Sequence, residues 1–140
     1  LGAMHYVAVV SQDYARDHCP NGLTPHNFRN IPFIAFNRKD DLPAEFVGRA
    51  LSLRRVSLSQ RFVPSSEGQL RAVLAGWGAS LVPELMVREL LDQGKLVNLA
   101  PTVTLPVSLY WHCWNLHSEV IDRLTAALSQ AAALQLTPED

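Results

Sequence analysis

Ser65-Ser66-Glu67-Gly68-Gln69-Leu70-Arg71-Ala72-Val73-Leu74-Ala75-Gly76-Trp77-Gly78-Ala79-Ser80-Leu81-Val82-Pro83 is the stretch whose reading decides the fold. Leu70, Val73 and Leu74 recur at helical spacing, and the serines ahead of them are residues that cap helix starts. Gly76 and Gly78 suit a left-handed helix stop and a tight turn into Ala79 to Val82, an apolar run with strand character. Upstream, Val56 to Val63 alternates: Val56, Leu58, Gln60 and Phe62 fall on one side, Ser57, Ser59, Arg61 and Val63 on the other. Strand, capped helix, glycine stop and strand imply an α/β sheet with parallel pairs.

The same alternation extends in both directions. Met4 to Val10 is a β-rich run feeding a short helix over Ser11 to His18, broken by Pro20-Asn21-Gly22. Thr24-Pro25 predicts a brief helical turn before a buried strand over Ile31 to Phe36. Asp40-Asp41-Leu42-Pro43 opens a helix that places Phe46, Val47, Ala50 and Leu51 on one face, with acids at the positive end of its dipole. Glu84 to Asp92 forms another helix stopped by Gly94, followed by a short strand over Leu96 to Leu99. Val107 to Trp114 reads as a strand, Ser118 caps a long final helix, and Thr137 to Asp140 should fray.

The 140 residues, 48% of them hydrophobic, suffice to bury about two thirds of the chain's surface in a real core. With 12 basic and 13 acidic side chains and a formal charge of −1, the chain has no electrostatic footprint for a nucleic-acid backbone. No apolar run reaches the roughly 20 residues of a membrane span, and the first residues lack the pattern of a signal peptide. Cys19 and Cys113 fit no Cys-x-x-Cys or zinc spacing, and two lone thiols suit a reducing compartment better than a disulfide scaffold. A soluble protein of a reducing compartment, the cytoplasm, is therefore expected. The opening Leu1, in place of Met, reads as the start of a fragment.

Ser66 and Gln69 have the spacing of a capping box, and Ser65 places a second hydroxyl at the same helix mouth. Simple capping and anion binding by the same free amides both remain open. Glu67 stabilises the dipole or, turned into a cleft, favours a zwitterion or cation over a simple anion. In Tyr110-Trp111-His112-Cys113-Trp114, strand alternation puts Tyr110, His112 and Trp114 on one face, so His112 is either a satisfied core histidine or a pocket residue. Cys113 then points the other way, which excludes a nucleophile and base pair. The histidines and cysteines share no metal spacing, and no nucleophile elbow, phosphate loop or paired-carboxylate motif occurs. Gly76 and Gly78 follow a helix and do not open one, unlike a dinucleotide fingerprint. No enzyme activity, metal or cofactor is expected.

The residues Glu67 to Leu74, Ala75-Gly76-Trp77-Gly78, Leu81-Val82-Pro83 and Leu90 to Leu99 resemble the effector-binding domain of LysR-type transcriptional regulators. Phe36 with the acids that follow it, Pro64-Ser65-Ser66-Glu67, Gly94 to Leu99 and Leu109-Tyr110-Trp111-His112 are similar to its lysine- and arginine-sensing branch, known as ArgP, IciA or LysG. The resemblance implies a fold like the type 2 periplasmic binding proteins, with two α/β subdomains. Residues 1–3 would be a crossover, 4–104 the complete second subdomain, and 105–140 the return strand and closing helix of the first. On this reading the winged helix-turn-helix of the family would lie outside the chain, DNA would be contacted only through that part, and no membrane contact is expected. The face of Ile121, Leu124 and Leu128 would lack its sheet, which predicts self-association.

The resemblance further implies an effector, lysine or arginine, in a cleft between subdomains, held by Ser65, Ser66 and Glu67 from one side and His112 from the other. It implies a homo-oligomer, with Gln69, Leu70 and Val73 in the segment Gln69 to Ala75 as the dimer surface. A transport receptor of the periplasmic type, binding a small amino acid or carboxylate, is the alternative of the same architecture.

Overall fold

The computed structural model describes residues 1–139 and divides into two compact units, Tyr6–Leu105 and Leu1–His5 with residues 106–139. Ten of its residues form β1 (Gly2–Ser11), followed by α1 (Gln12–His18), a 3-10 turn (Phe28–Asn30) and β2 (Phe33–Ala35). Then come α2 (Leu42–Leu51), β3 (Gln60–Phe62), α3 (Ser66–Leu74), β4 (Ala79–Pro83), α4 (Glu84–Asp92) and β5 (Leu96–Asn98). The chain closes with β6 (Leu105–Leu109) and α5 (Glu119–Gln135). None of these helices is long and apolar enough to cross a membrane.

In the larger unit the strand order is β3-β2-β4-β1-β5. β2 runs parallel to both β3 and β4, while β1 is antiparallel to β4 and β5. The expected α/β class with parallel pairs is what forms. Strand alternation splits the core into two layers. Ala8 and Val10 of β1, Phe33 of β2 and Leu81 of β4 face Phe46 and Val47 of α2. Val7, Val9, Ile34 and Val82 face Val73 of α3 and Val87 of α4. Helices cover both faces, which is why the inner strands read as unbroken apolar runs.

Several strands are shorter than their sequences suggest, β2 and β5 among them. The alternating run from Val56 yields only β3, because its one neighbour, β2, offers three residues to pair with. The aromatic run yields a strand only as far as Leu109, and residues 110–118 lack regular structure. Among the described residues no strand pairs with the backbone beyond Leu109, and β-propensity without a neighbour makes no ladder.

In the smaller unit, Ser118 caps α5 by accepting from the Ile121 amide at 3.4 Å. Trp111 Nε1 donates to Thr125 Oγ1 at 3.0 Å, which fastens the irregular segment to that helix. Thr137 does not fray. Its amide donates to Ala3 O at 3.1 Å, its carbonyl accepts from Ala3 N at 2.8 Å, and His5 Nε2 lies 3.0 Å from its hydroxyl. Asp140, the end of the stretch expected to fray, lies outside the described residues. On α5, Val120, Leu124 and Leu134 are exposed, while Ile121 and Leu128 are partly covered.

Candidate functional site

Because β2, β3 and β4 are parallel, their carboxyl ends lie along one edge of the sheet, and each leads into a helix there. Three helix N-termini, those of α2, α3 and α4, therefore open at the same edge. Such an edge is where open α/β sheets hold ligands, because free amides and the positive ends of helix dipoles meet there.

The α3 mouth is built by Ser65, whose extended backbone (φ −160°, ψ 129°) makes it the cap. Its hydroxyl accepts from the Gly68 amide at 3.1 Å and its carbonyl from the Gln69 amide at 2.9 Å. The cap is thus Ser65, not Ser66, and the capping box is not formed. The amides of Ser66 and Glu67 have no acceptor among the described residues, leaving two donors for an anion. Ser65, Ser66 and Glu67 are all exposed, so nothing in this unit seals the mouth. Gly68 is required by space, since a Cβ there would stand 2.8 Å from Val63 Cγ1.

Gln69, expected first in a capping box and then at a dimer surface, does neither job. Its side chain is buried and spans the layer between helix and sheet. Nε2 donates to Val63 O at 3.1 Å, and Oε1 accepts from Ser80 Oγ at 2.9 Å; that hydroxyl also lies 3.2 Å from Ile34 O. The pair locks the first turn of α3 to β4 and β2. Val73 is fully buried in the core beneath α3, and Leu70 packs against the same core while remaining partly accessible. Gln69 and Val73 therefore cannot present themselves to a partner chain in this fold; the outer face of α3 carries Arg71 and Leu74 in their place.

Two further residues mark the same edge, neither of them a ligand contact on the sequence reading. Asp40, in the loop after β2, accepts from the Phe36 amide through Oδ2 and from the Leu42 amide through Oδ1, both at 3.2 Å. Tyr6 stands opposite Pro83 in the β1–β4 register. Its phenol is held above the usual tyrosine range, first by burial and then by the negative charge of Asp40. The signal for both is topological: Tyr6 reaches this edge only because β1 lies antiparallel beside β4.

His112 belongs to the other compact unit, on the irregular segment after β6. It is exposed, its ring lies 6.3 Å from that of Tyr110, and it lines an open hollow of about 370 Å³ with Cys113, Trp114 and Asn115. The strand-face argument for it fails, since no strand is present there. Cys113 is exposed and Cys19 buried, and both are free thiols; burial raises the Cys19 thiol above its ordinary value. Among the described residues no three His, Cys, Asp or Glu side chains are grouped to hold a metal ion.

Comparison with known proteins places these features in context. Residues 1–133 match the family model of the LysR substrate binding domain. The HTH-type transcriptional regulator ArgP of Photobacterium profundum is 36% identical over 132 residues, covering 94% of this chain and 44% of that protein. The C-terminal domains of a LysR family protein from Agrobacterium tumefaciens superpose with a TM-score of 0.90 at 37% identity, over 99% of this chain and 67% of that one. Full-length LysG from Corynebacterium glutamicum, solved with its effector arginine bound, superposes with a TM-score of 0.81 at 27% identity, over 99% of this chain and 47% of that one. The chain spans less than half the length of the ArgP and LysG proteins it matches.

Proposed function

The chain belongs to the LysR substrate-binding domain family, and from that premise we propose that it is the effector-sensing part of a DNA-binding transcriptional regulator whose ligand is a basic amino acid, arginine or lysine. Residues 4–104, close to the compact unit Tyr6–Leu105, serve as the second effector subdomain, and residues 105–140 as the return strand and closing helix of the first. The observation that carries the reading is the exposed α3 mouth, where the amides of Ser66 and Glu67 are unused and the Glu67 side chain is open to solvent.

This arrangement divides a zwitterionic cation between complementary groups. The ligand carboxylate takes the two amides and the Ser66 hydroxyl at the positive end of the helix dipole, while Glu67 pairs with a ligand ammonium or guanidinium. A simple anion is disfavoured by Glu67. The arginine held by LysG, a relative of similar fold, fits this division of charge. Ligand binding shifts the arrangement of the attached DNA-binding domains through differential affinity for two states. The assembly is a homo-oligomer, as befits a regulator that reads paired half-sites.

Calorimetric titration of the full-length protein with L-arginine, L-lysine and L-glutamate tests the reading. Arginine or lysine binds and glutamate does not. Ser66→Ala and Glu67→Gln each weaken the basic ligand by about tenfold, the loss of one charge-assisted hydrogen bond or ion pair. Unaltered affinity in both variants removes the α3 mouth from the site.

A further inference from the structure

The opposite edge of the sheet carries a sequence that the effector reading does not use: Arg54-Arg55-Val56-Ser57-Leu58, ahead of β3. The segment has no helix or strand, and among the described residues 54–58 make no backbone hydrogen bond. Val56 and Leu58 pack against the core beside α2, and that alternation turns Ser57 outward. Arg54 and Arg55 are exposed and have no ion-pair partner among the described residues. An open hollow of about 490 Å³ is lined by Arg29, Arg55, Ser57 and Ser59, with Arg29 stacked on Phe28 at 5.4 Å.

We propose that Ser57 is a phosphorylation site for an arginine-directed serine/threonine kinase. Such an enzyme selects substrates by charge pattern, with acidic side chains in its cleft taking the two guanidinium groups just before the acceptor and an apolar pocket taking the residue after it. Arg54, Arg55 and Leu58 supply these features at the third and second positions before Ser57 and the first after it. The segment breaks no ladder bond when drawn into an extended conformation, and the partly covered Val56 and Leu58 leave the core beside α2 as Leu58 enters the kinase pocket. In the reaction the Ser57 hydroxyl loses its proton to the kinase base. Its Oγ forms a bond to the γ-phosphorus of ATP as the bond to the β-phosphate bridging oxygen breaks, and ADP departs. The product dianion sits among Arg29 and Arg55, where charge-assisted hydrogen bonds stabilise it.

The full chain is incubated with Mg·ATP and the catalytic subunit of an arginine-directed kinase, and phosphate is located by peptide mass spectrometry. One phosphoryl group is expected, on Ser57. Ser57→Ala abolishes it, Ser59→Ala leaves it, and Arg54→Ala or Arg55→Ala lowers the initial rate by about tenfold or more with Ser57 intact. Circular dichroism of each variant confirms the fold. No incorporation in the folded wild-type chain, phosphate on another residue, or rates indifferent to both arginines overturns the proposal. Because the site lies on the edge away from the α3 mouth, these outcomes are independent of whether arginine or lysine is the effector.

Discussion

Substitution of Ser80 by alanine is expected to destabilise the protein more than substitution of Gln69 by leucine, and the two together less than the sum. The reasoning follows the accounting of donors. In Gln69→Leu no polar group is orphaned: Val63 O keeps the Ser65 amide at 2.9 Å, and the Ser80 hydroxyl keeps Ile34 O at 3.2 Å. The loss is two hydrogen bonds replaced by an apolar side chain of similar volume, about 1 kcal/mol. In Ser80→Ala, by contrast, Gln69 Oε1 loses its donor at 2.9 Å inside a side chain that is only 7% exposed. A buried oxygen without a donor costs about 1–3 kcal/mol, so about 2 kcal/mol is expected for this variant. The double variant removes the orphan and should lie near 1 to 1.5 kcal/mol, a coupling of about 1.5 kcal/mol. Urea denaturation of the four proteins of the cycle, with equal slopes as the check on two-state behaviour, measures all three quantities. Additive losses, or a Ser80→Ala variant within about 0.5 kcal/mol of wild type, would refute the network as the clamp on α3.

Gly78→Ala places a Cβ 2.1 Å from Pro32 O, the acceptor of the Ala79 amide, at φ +146°, whereas Gly76→Ala at φ +81° meets nothing within 4 Å. Thermal denaturation should therefore show a loss of about 3 kcal/mol or more for the first and about 1 kcal/mol for the second; equal losses would contradict the close approach at Pro32. For Tyr6, the folded-state pKa lies above the unfolded value, so its contribution is intact below about pH 10 and is lost as pH rises through the raised value. Denaturant midpoints between pH 9 and 11 should fall less steeply in Tyr6→Phe than in wild type, and parallel profiles would dismiss the burial of this phenol as a source of alkaline lability.

What could be read from the chain, and what could not, divides according to how far apart the deciding residues are. Phe46 and Val47 of α2, or Val7 to Val10 of β1, declare their elements by spacing alone, because helix and strand periods are local. The α3 mouth was legible as a helix start, yet Ser65 and Ser66 are equivalent on paper. Only the extended backbone at Ser65 and the Ser80 hydroxyl waiting across the layer decide that Ser65 caps while Gln69 turns inward. The runs from Val56 and to Trp114 suggest longer strands for a related reason. Their residues favour strands, but a strand exists only where another supplies its hydrogen bonds, and β2 ends at Ala35. Asp40 and Tyr6 illustrate the same limit at the site. Residues 34 positions apart come to one edge because β2 and β1 each neighbour β4 in opposite senses, so the chemistry of that edge is a property of strand order. A motif search along the chain finds the α3 mouth, which is contiguous, and reads Asp40 only as a helix start, without the Tyr6 phenol that shares its edge. Substitution at Tyr6 or Asp40 consequently tests the topology of the site, while substitution at Ser66 tests its local chemistry.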